Sequence, residues 1–130
     1  MIVPHLPPDH PWYFLNRFGT PNVKWCEATV HGWITEPANT WSNIFFFIVL
    51  YFMIKETHRQ PHPQSSLWLP ATAILGFGSG IYHASSTLVF QILDFFGMFL
   101  VFLIPLFVNF KRLGWMSLVS RGKYWVTSVL

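Results

Sequence analysis

Charge is scarce in this sequence. Asp, Glu, Lys and Arg together make up 10% of its 130 residues, against about a quarter in an ordinary soluble domain. A nucleic-acid module needs a concentrated basic surface, so that class is excluded. Cysteine is nearly absent too. The single Cys26 cannot form an internal disulfide, which excludes a secreted disulfide scaffold. The N-terminus lacks the order of a secretory leader, which runs from a basic start through an apolar stretch to small residues. Residues 1–33 instead carry Pro4, Pro7, Pro8 and Pro11 with His5, Asp9 and His10 among them. No internal repeat or low-complexity tract is visible.

What fills the space left by charge is apolar. Hydrophobic residues reach 52% and aromatics 19%, with 14 Phe and 7 Trp, and the mean hydropathy is +0.40. A soluble globule of this length would expose much of that surface to water, so the composition points to a membrane protein, which also excludes a disordered chain. The net charge of +3 needs no acidic partner, because basic residues in loops flanking membrane spans give the same balance.

The pattern along the chain supports this class. Residues 1–33 read as a proline-broken segment at the membrane interface, where Trp12, Tyr13, Phe14, Trp25 and Trp33 suit half-wet headgroup positions. Three apolar stretches follow, at about 34–54, 67–87 and 89–110. Each is long enough to cross the hydrocarbon core as a helix, for which roughly 20 residues suffice. Residues 67–110 are about twice too long for one span. They predict a tight helical hairpin turning between His83 and Gln91, around Ser85, Ser86 and Thr87. Residues 55–66 (KETHRQPHPQSS) predict a polar loop, and the apolar run 124–130 resembles the first turns of a fourth span.

The expected fold class is therefore all-α, a polytopic transmembrane bundle of three complete spans and the start of a fourth. The loop after the first span and the segment after the third hold Lys55, Arg59, Lys111, Arg112, Arg121 and Lys123, while the opposite side holds only Arg17 and Lys24. The positive-inside rule predicts an N-terminus outside the cell or in the lumen.

Ionisable groups inside hydrocarbon are costly, so their default reading is functional. Three clusters qualify. Glu36, Asn39, Thr40 and Asn43 recur at helical spacing and fall on one face. That face reads either as a polar helix end with interhelical hydrogen bonds or as a stripe facing a polar interior, with Glu36 available to a cation. Ser79 and His83 share a face at i,i+4, among Gly76, Gly78 and Gly80, whose small size lets another helix approach. A lone histidine there reads as a satisfied core residue or as a metal ligand. Asp94 sits about one turn beyond the expected hairpin, as His83 sits about one turn before it, so the two reach similar depth. Their pairing reads as simple charge compensation, or as a carboxylate serving a metal ligand or metal-activated water. His5, His10, His31, His58 and His62 have no ligand spacing. A catalytic zinc takes three protein ligands, and these spans offer one.

Two strings carry a family resemblance: WCEATVHGWITEPANTWSNIFFF from Trp25 and GFGSGIYHASSTLVFQILDFFGM from Gly76. They resemble the alkaline ceramidases, part of a superfamily of seven-helix membrane hydrolases that includes the adiponectin and progestin receptors. The shared pattern is W-C-E, then E-x-x-N-T-x-S-N, then G-x-G-S-x-x-x-H, then an Asp eleven residues after that His. The resemblance implies a zinc-dependent hydrolase that cleaves the amide bond of ceramide-like membrane lipids to a sphingoid base and a fatty acid. It implies that His83 is a zinc ligand, that Ser79 helps hold the oxyanion, and that Asp94 bonds the attacking water and moves its proton. It also implies a calcium site at Glu27, Glu36 and the backbone of Trp25.

Two departures bear on these implications. Lys24 stands where the family has an Asp, and Thr29 where it has an Asn, so a structural ion pair from Lys24 is expected in place of calcium. The family's H-x-x-x-H pair, which supplies the other zinc ligands, is missing. The resemblance thus leads us to expect an N-terminal part of a seven-helix fold, inactive alone, with the remaining ligands beyond residue 130. A receptor-like or lipid-binding member with little turnover is the alternative, and helix glue without any site is a third.

Overall fold

The computed structural model describes residues 6–61 and 64–114. Among the described residues it is all-helical. A 3-10 helix at Tyr13–Phe18 precedes four α-helices: α1 at Pro37–Ser42, α2 at Ile44–Arg59, α3 at Ser65–Ser85 and α4 at Leu88–Arg112. The expected beginning of another span at Tyr124 lies outside the described residues, as do His5 and His62.

α1 begins at Pro37, where a missing N–H costs nothing in the first turn. Its next two amide groups find their acceptor upstream: both oxygens of the Glu27 carboxylate accept, one from the Ala38 N–H and one from the Asn39 N–H, each at 2.8 Å. Asn43 marks a seam, with its amide donating back to the Asn39 carbonyl at 2.7 Å. Helix then continues to Arg59, so Pro37–Arg59 counts as one apolar segment of 23 residues. The polar loop expected from residue 55 therefore starts later. Lys55 and Glu56 are good helix formers that extend an established helix at little cost, and the stop is Pro61, which forces the residue before it out of the helical region.

The hairpin forms where the sequence predicts it. α3 ends at Ser85, Ser86 adopts the left-handed conformation (φ 49°, ψ 46°), and Thr87 is extended before α4. The Ser86 N–H returns to the Tyr82 carbonyl at 2.7 Å. α3 and α4 then pack at unusually close range. A methyl group on Gly78 would stand 3.0 Å from the Leu93 carbonyl oxygen, and one on Gly97 only 2.7 Å from Leu75 Cα. Only glycine allows those backbones to meet.

The packing is inverted relative to a soluble protein. Phe45, Ile48, Tyr51 and Phe52 of α2 and Phe96, Phe99, Phe102 and Phe107 of α4 are exposed. The fully covered side chains are polar: Gln91, Thr35, Thr87 and Ser85. An apolar exterior around a hydrogen-bonded interior is the arrangement a hydrocarbon solvent selects. By length and composition, Pro37–Arg59 and Leu88–Arg112 can each cross a membrane. α3 has the length, at 21 residues, but its serines, threonine and histidine make it less apolar. Two of the three expected spans thus meet both criteria.

The N-terminal segment straps across the turn end of the hairpin. The Asn22 N–H donates to the Gln91 side-chain carbonyl at 2.8 Å, and the Tyr82 hydroxyl donates to the Val23 carbonyl at 2.7 Å. Gln91 in turn donates to the Tyr82 oxygen at 3.3 Å. The Trp12 indole N–H reaches the Trp33 carbonyl at 3.0 Å, with its ring edge-on to Trp33 and Phe90. Tyr13, Phe14, Trp25 and Trp33 remain exposed, as an interfacial segment requires.

Candidate active site

The last carbonyls of any helix lack intrahelical partners. At the end of α3 they are taken by the stretch just before α1. The Thr35 N–H donates to the Ala84 carbonyl at 2.9 Å and the Glu36 N–H to the His83 carbonyl at 3.0 Å, and the Thr35 hydroxyl adds a second bond to Ala84. This cross-linking brings Glu36 onto His83. One Glu36 oxygen lies 2.6 Å from His83 Nδ1, and the Asn39 amide donates to the same oxygen at 3.1 Å. Glu36 is 4% exposed and His83 8%.

Ser79 stands one turn before His83 on α3, with its hydroxyl beside the Asp94 carboxylate across the hairpin. Asp94 is buried and lies within electrostatic reach of His83. The Trp25 ring covers the imidazole from the strap, with ring centroids 5.8 Å apart. The structure therefore brings together Ser79, His83 and Asp94, the residues singled out from the second string, and adds Glu36, Asn39 and Trp25 from the first.

The remaining candidates sit elsewhere in the local scheme. Thr40 donates to the Glu36 carbonyl at 2.7 Å and Asn43 bonds back to Asn39, so both serve their own helix. The four-residue polar stripe thus resolves into two residues at the site and two that satisfy backbone. Glu27 acts as a cap on α1. The ion pair expected from Lys24 is not formed with either carboxylate among the described residues; Glu36 pairs with His83 instead. Tyr82 and Gln91 were not singled out from the sequence, although they fasten the strap over the site. A buried Gln in an apolar run was the available signal.

Among the described residues, no group of three or more His, Cys, Asp and Glu side chains is placed to hold a metal ion. The donor set fits one arm of a zinc site, an imidazole with a carboxylate behind it, and falls short of the three ligands a catalytic zinc requires.

A second ionisable group lies in the strap. His10 is buried, its Nδ1 accepting the Trp12 N–H at 3.2 Å, while its Nε2 has no hydrogen-bond partner among the described residues. The His31 ring stands edge-on at 5.2 Å and also contacts Asp9 at 3.2 Å. Burial, reinforced by His31 and opposed by Asp9, holds the His10 pKa below its ordinary value.

The model of the ceramidase family matches residues 18–128, a stretch that contains every residue of this cluster. No curated protein and no solved structure matches the chain. The chain belongs to the ceramidase family, whose name denotes hydrolases of ceramides.

Proposed function

We propose that this protein is a multi-pass membrane amidohydrolase that cleaves ceramide-like lipids to a sphingoid base and a fatty acid, with zinc as its cofactor. The observation that carries the reading is the convergence of Ser79, His83 and Asp94 at one end of an apolar-sided helical bundle. A lipid amide entering from the bilayer would meet buried polar groups there.

Each side chain has a distinct task in this scheme. His83 would be one ligand for the metal. When bound, zinc lowers the pKa of water toward neutrality and polarises the scissile carbonyl. Asp94 accepts the proton of the attacking water and delivers it to the leaving amine, a general acid–base role. The Ser79 hydroxyl, beside the Asp94 carboxylate, donates to the developing oxyanion as negative charge accumulates there. Trp25, whose ring is tilted against the imidazole, would help to shield it from bulk water. The N-terminal strap lies on the outer or luminal side, as the distribution of Lys and Arg argues.

The test is His83→Ala in the natural full-length protein, scored for zinc content and for fatty acid released from ceramide. The proposal expects both to be lost together. Retained hydrolysis would remove His83 from the chemistry.

A further inference from the structure

We propose that the N-terminal strap holds one glycerophospholipid of the surrounding membrane, seated in a cleft beside the 3-10 helix with its phosphate diester on Arg17. The site stands apart from the His83 cluster and does not depend on the chemistry assigned there.

The cleft has a volume of about 550 Å³, within the range of about 300–1,000 Å³ usual for small-molecule sites. One wall is the chain at Leu6 and Pro8, and the other is formed by Tyr13, Phe14, Asn16 and Arg17 of the 3-10 helix. The Asn16 amide ties the two walls together by donating to the Leu6 carbonyl at 3.0 Å. The His10 N–H donates to the Pro7 carbonyl at 2.9 Å and turns the chain back toward the helix. Side chains three apart eclipse in a 3-10 helix, so Phe14 and Arg17 form one row, an apolar ring beside a cation. The lining is chiefly apolar, and Arg17 is the one charged side chain among the described residues that form it.

The position of the cleft suits a lipid of the bilayer surface. Leu15 turns inward and is buried. A methyl on Gly19 would stand 2.8 Å from Leu88 Cδ2, so the end of the 3-10 helix rests on the first residue of α4. Because α4 is long and apolar enough to cross a membrane, the cleft lies at the mouth of a span, level with the headgroups. Tyr13, Phe14 and Phe18 are exposed around it.

The charge selects the class of lipid. The Arg17 guanidinium carbon lies over the Phe18 ring, 4.7 Å from its centroid, a contact that steadies the long side chain. No carboxylate pairs with Arg17 among the described residues, and Asp9, next to Pro8, contacts His31 instead at 3.2 Å. A guanidinium fork matches a phosphate with two charge-assisted hydrogen bonds. An uncharged lipid would fill the apolar walls and leave the cation unmatched, whereas free phosphate would match the cation and leave the walls empty. A phospholipid satisfies both.

The experiment measures equilibrium binding of radiolabelled dioleoylphosphatidylglycerol to the full-length protein in detergent, with unlabelled competitors. One saturable copy is expected that neither dioleoylglycerol, with the same chains, nor glycerol phosphate displaces. Arg17→Gln should weaken that copy about tenfold, while Lys24→Gln, which removes the other cation of the same segment, should leave it unchanged. Both side chains project from the surface of the strap, and thermal melts confirm that each variant is folded. Displacement by dioleoylglycerol would mean an apolar groove without phosphate recognition, and displacement by glycerol phosphate a simple anion site; either overturns the proposal. So does equal weakening in the two variants, which would show diffuse surface charge, or unchanged binding in Arg17→Gln.

Discussion

Replacing Gly97 by alanine tests how closely the site depends on the approach of α3 and α4. The added methyl would stand 2.7 Å from Leu75 Cα and 2.9 Å from Leu75 N, both backbone atoms that cannot turn aside. Carbon atoms rest at about 3.5–4.0 Å, so the helices must separate by roughly 1 Å. Overpacking of this kind costs about 1–3 kcal/mol, offset by about 1 kcal/mol from the better helix propensity of alanine. The net loss of stability is therefore modest. The effect on the site is not, because Asp94 lies one turn from Gly97 and Ser79 one turn from Leu75. Separation of the helices acts directly on the spacing of these two side chains. A misplacement of about 1 Å lowers a catalytic rate by about a hundredfold. Gly80→Ala is the control, since its methyl meets nothing closer than Asn43 Cβ at 3.7 Å. Thermal melts in detergent and ceramide hydrolysis by the full-length protein should show Gly97→Ala slightly less stable and about a hundredfold slower, with Gly80→Ala close to wild type. Equal activity in the two variants would refute the argument from close approach.

Other consequences concern the strap. Tyr82→Phe leaves the Val23 carbonyl without its donor and should cost about 1–3 kcal/mol; limited proteolysis of the N-terminal segment should quicken, and unchanged protection would mean the strap is held elsewhere. His10 has a folded pKa below 6.5, so the unfolded segment binds more protons and strap stability is lost as pH falls below that value. Hydrogen exchange between about pH 7 and about pH 5 should show this loss, and it should be flattened in His10→Gln; a pH-independent wild-type strap would contradict the burial of His10.

Much of the architecture was legible because its determinants are local. The turn at Ser85 to Thr87 interrupts a run too long for one span, and Ser79, His83 and Asp94 stand out as polar groups in apolar surroundings. Their convergence follows from antiparallel helices and a short turn. The extension of α2 past residue 55 was missed because composition marks the end of apolarity, while helix persists through Lys55 and Glu56 until Pro61 forbids it. Glu27 entered only through the family resemblance, as an ion ligand; its capping bonds to Ala38 and Asn39 depend on where the first amides of α1 point, which the residues alone do not show. The pairing of Glu36 with His83 depends on Thr35 and Glu36 docking onto the end of α3. That is a tertiary event with no signature in either segment alone, although antiparallel helices would bring both residues to the same side.

The central claim is that the cluster performs amide hydrolysis and does not merely bind lipid. Its most direct measurement is mass-spectrometric analysis of ceramide-containing vesicles incubated with zinc-loaded, full-length protein, with Asp94→Asn as the comparison. The account predicts sphingoid base and fatty acid released in equal amounts by the wild type and neither by the variant. Ceramide bound by the wild type but recovered intact would contradict it and favour a lipid receptor.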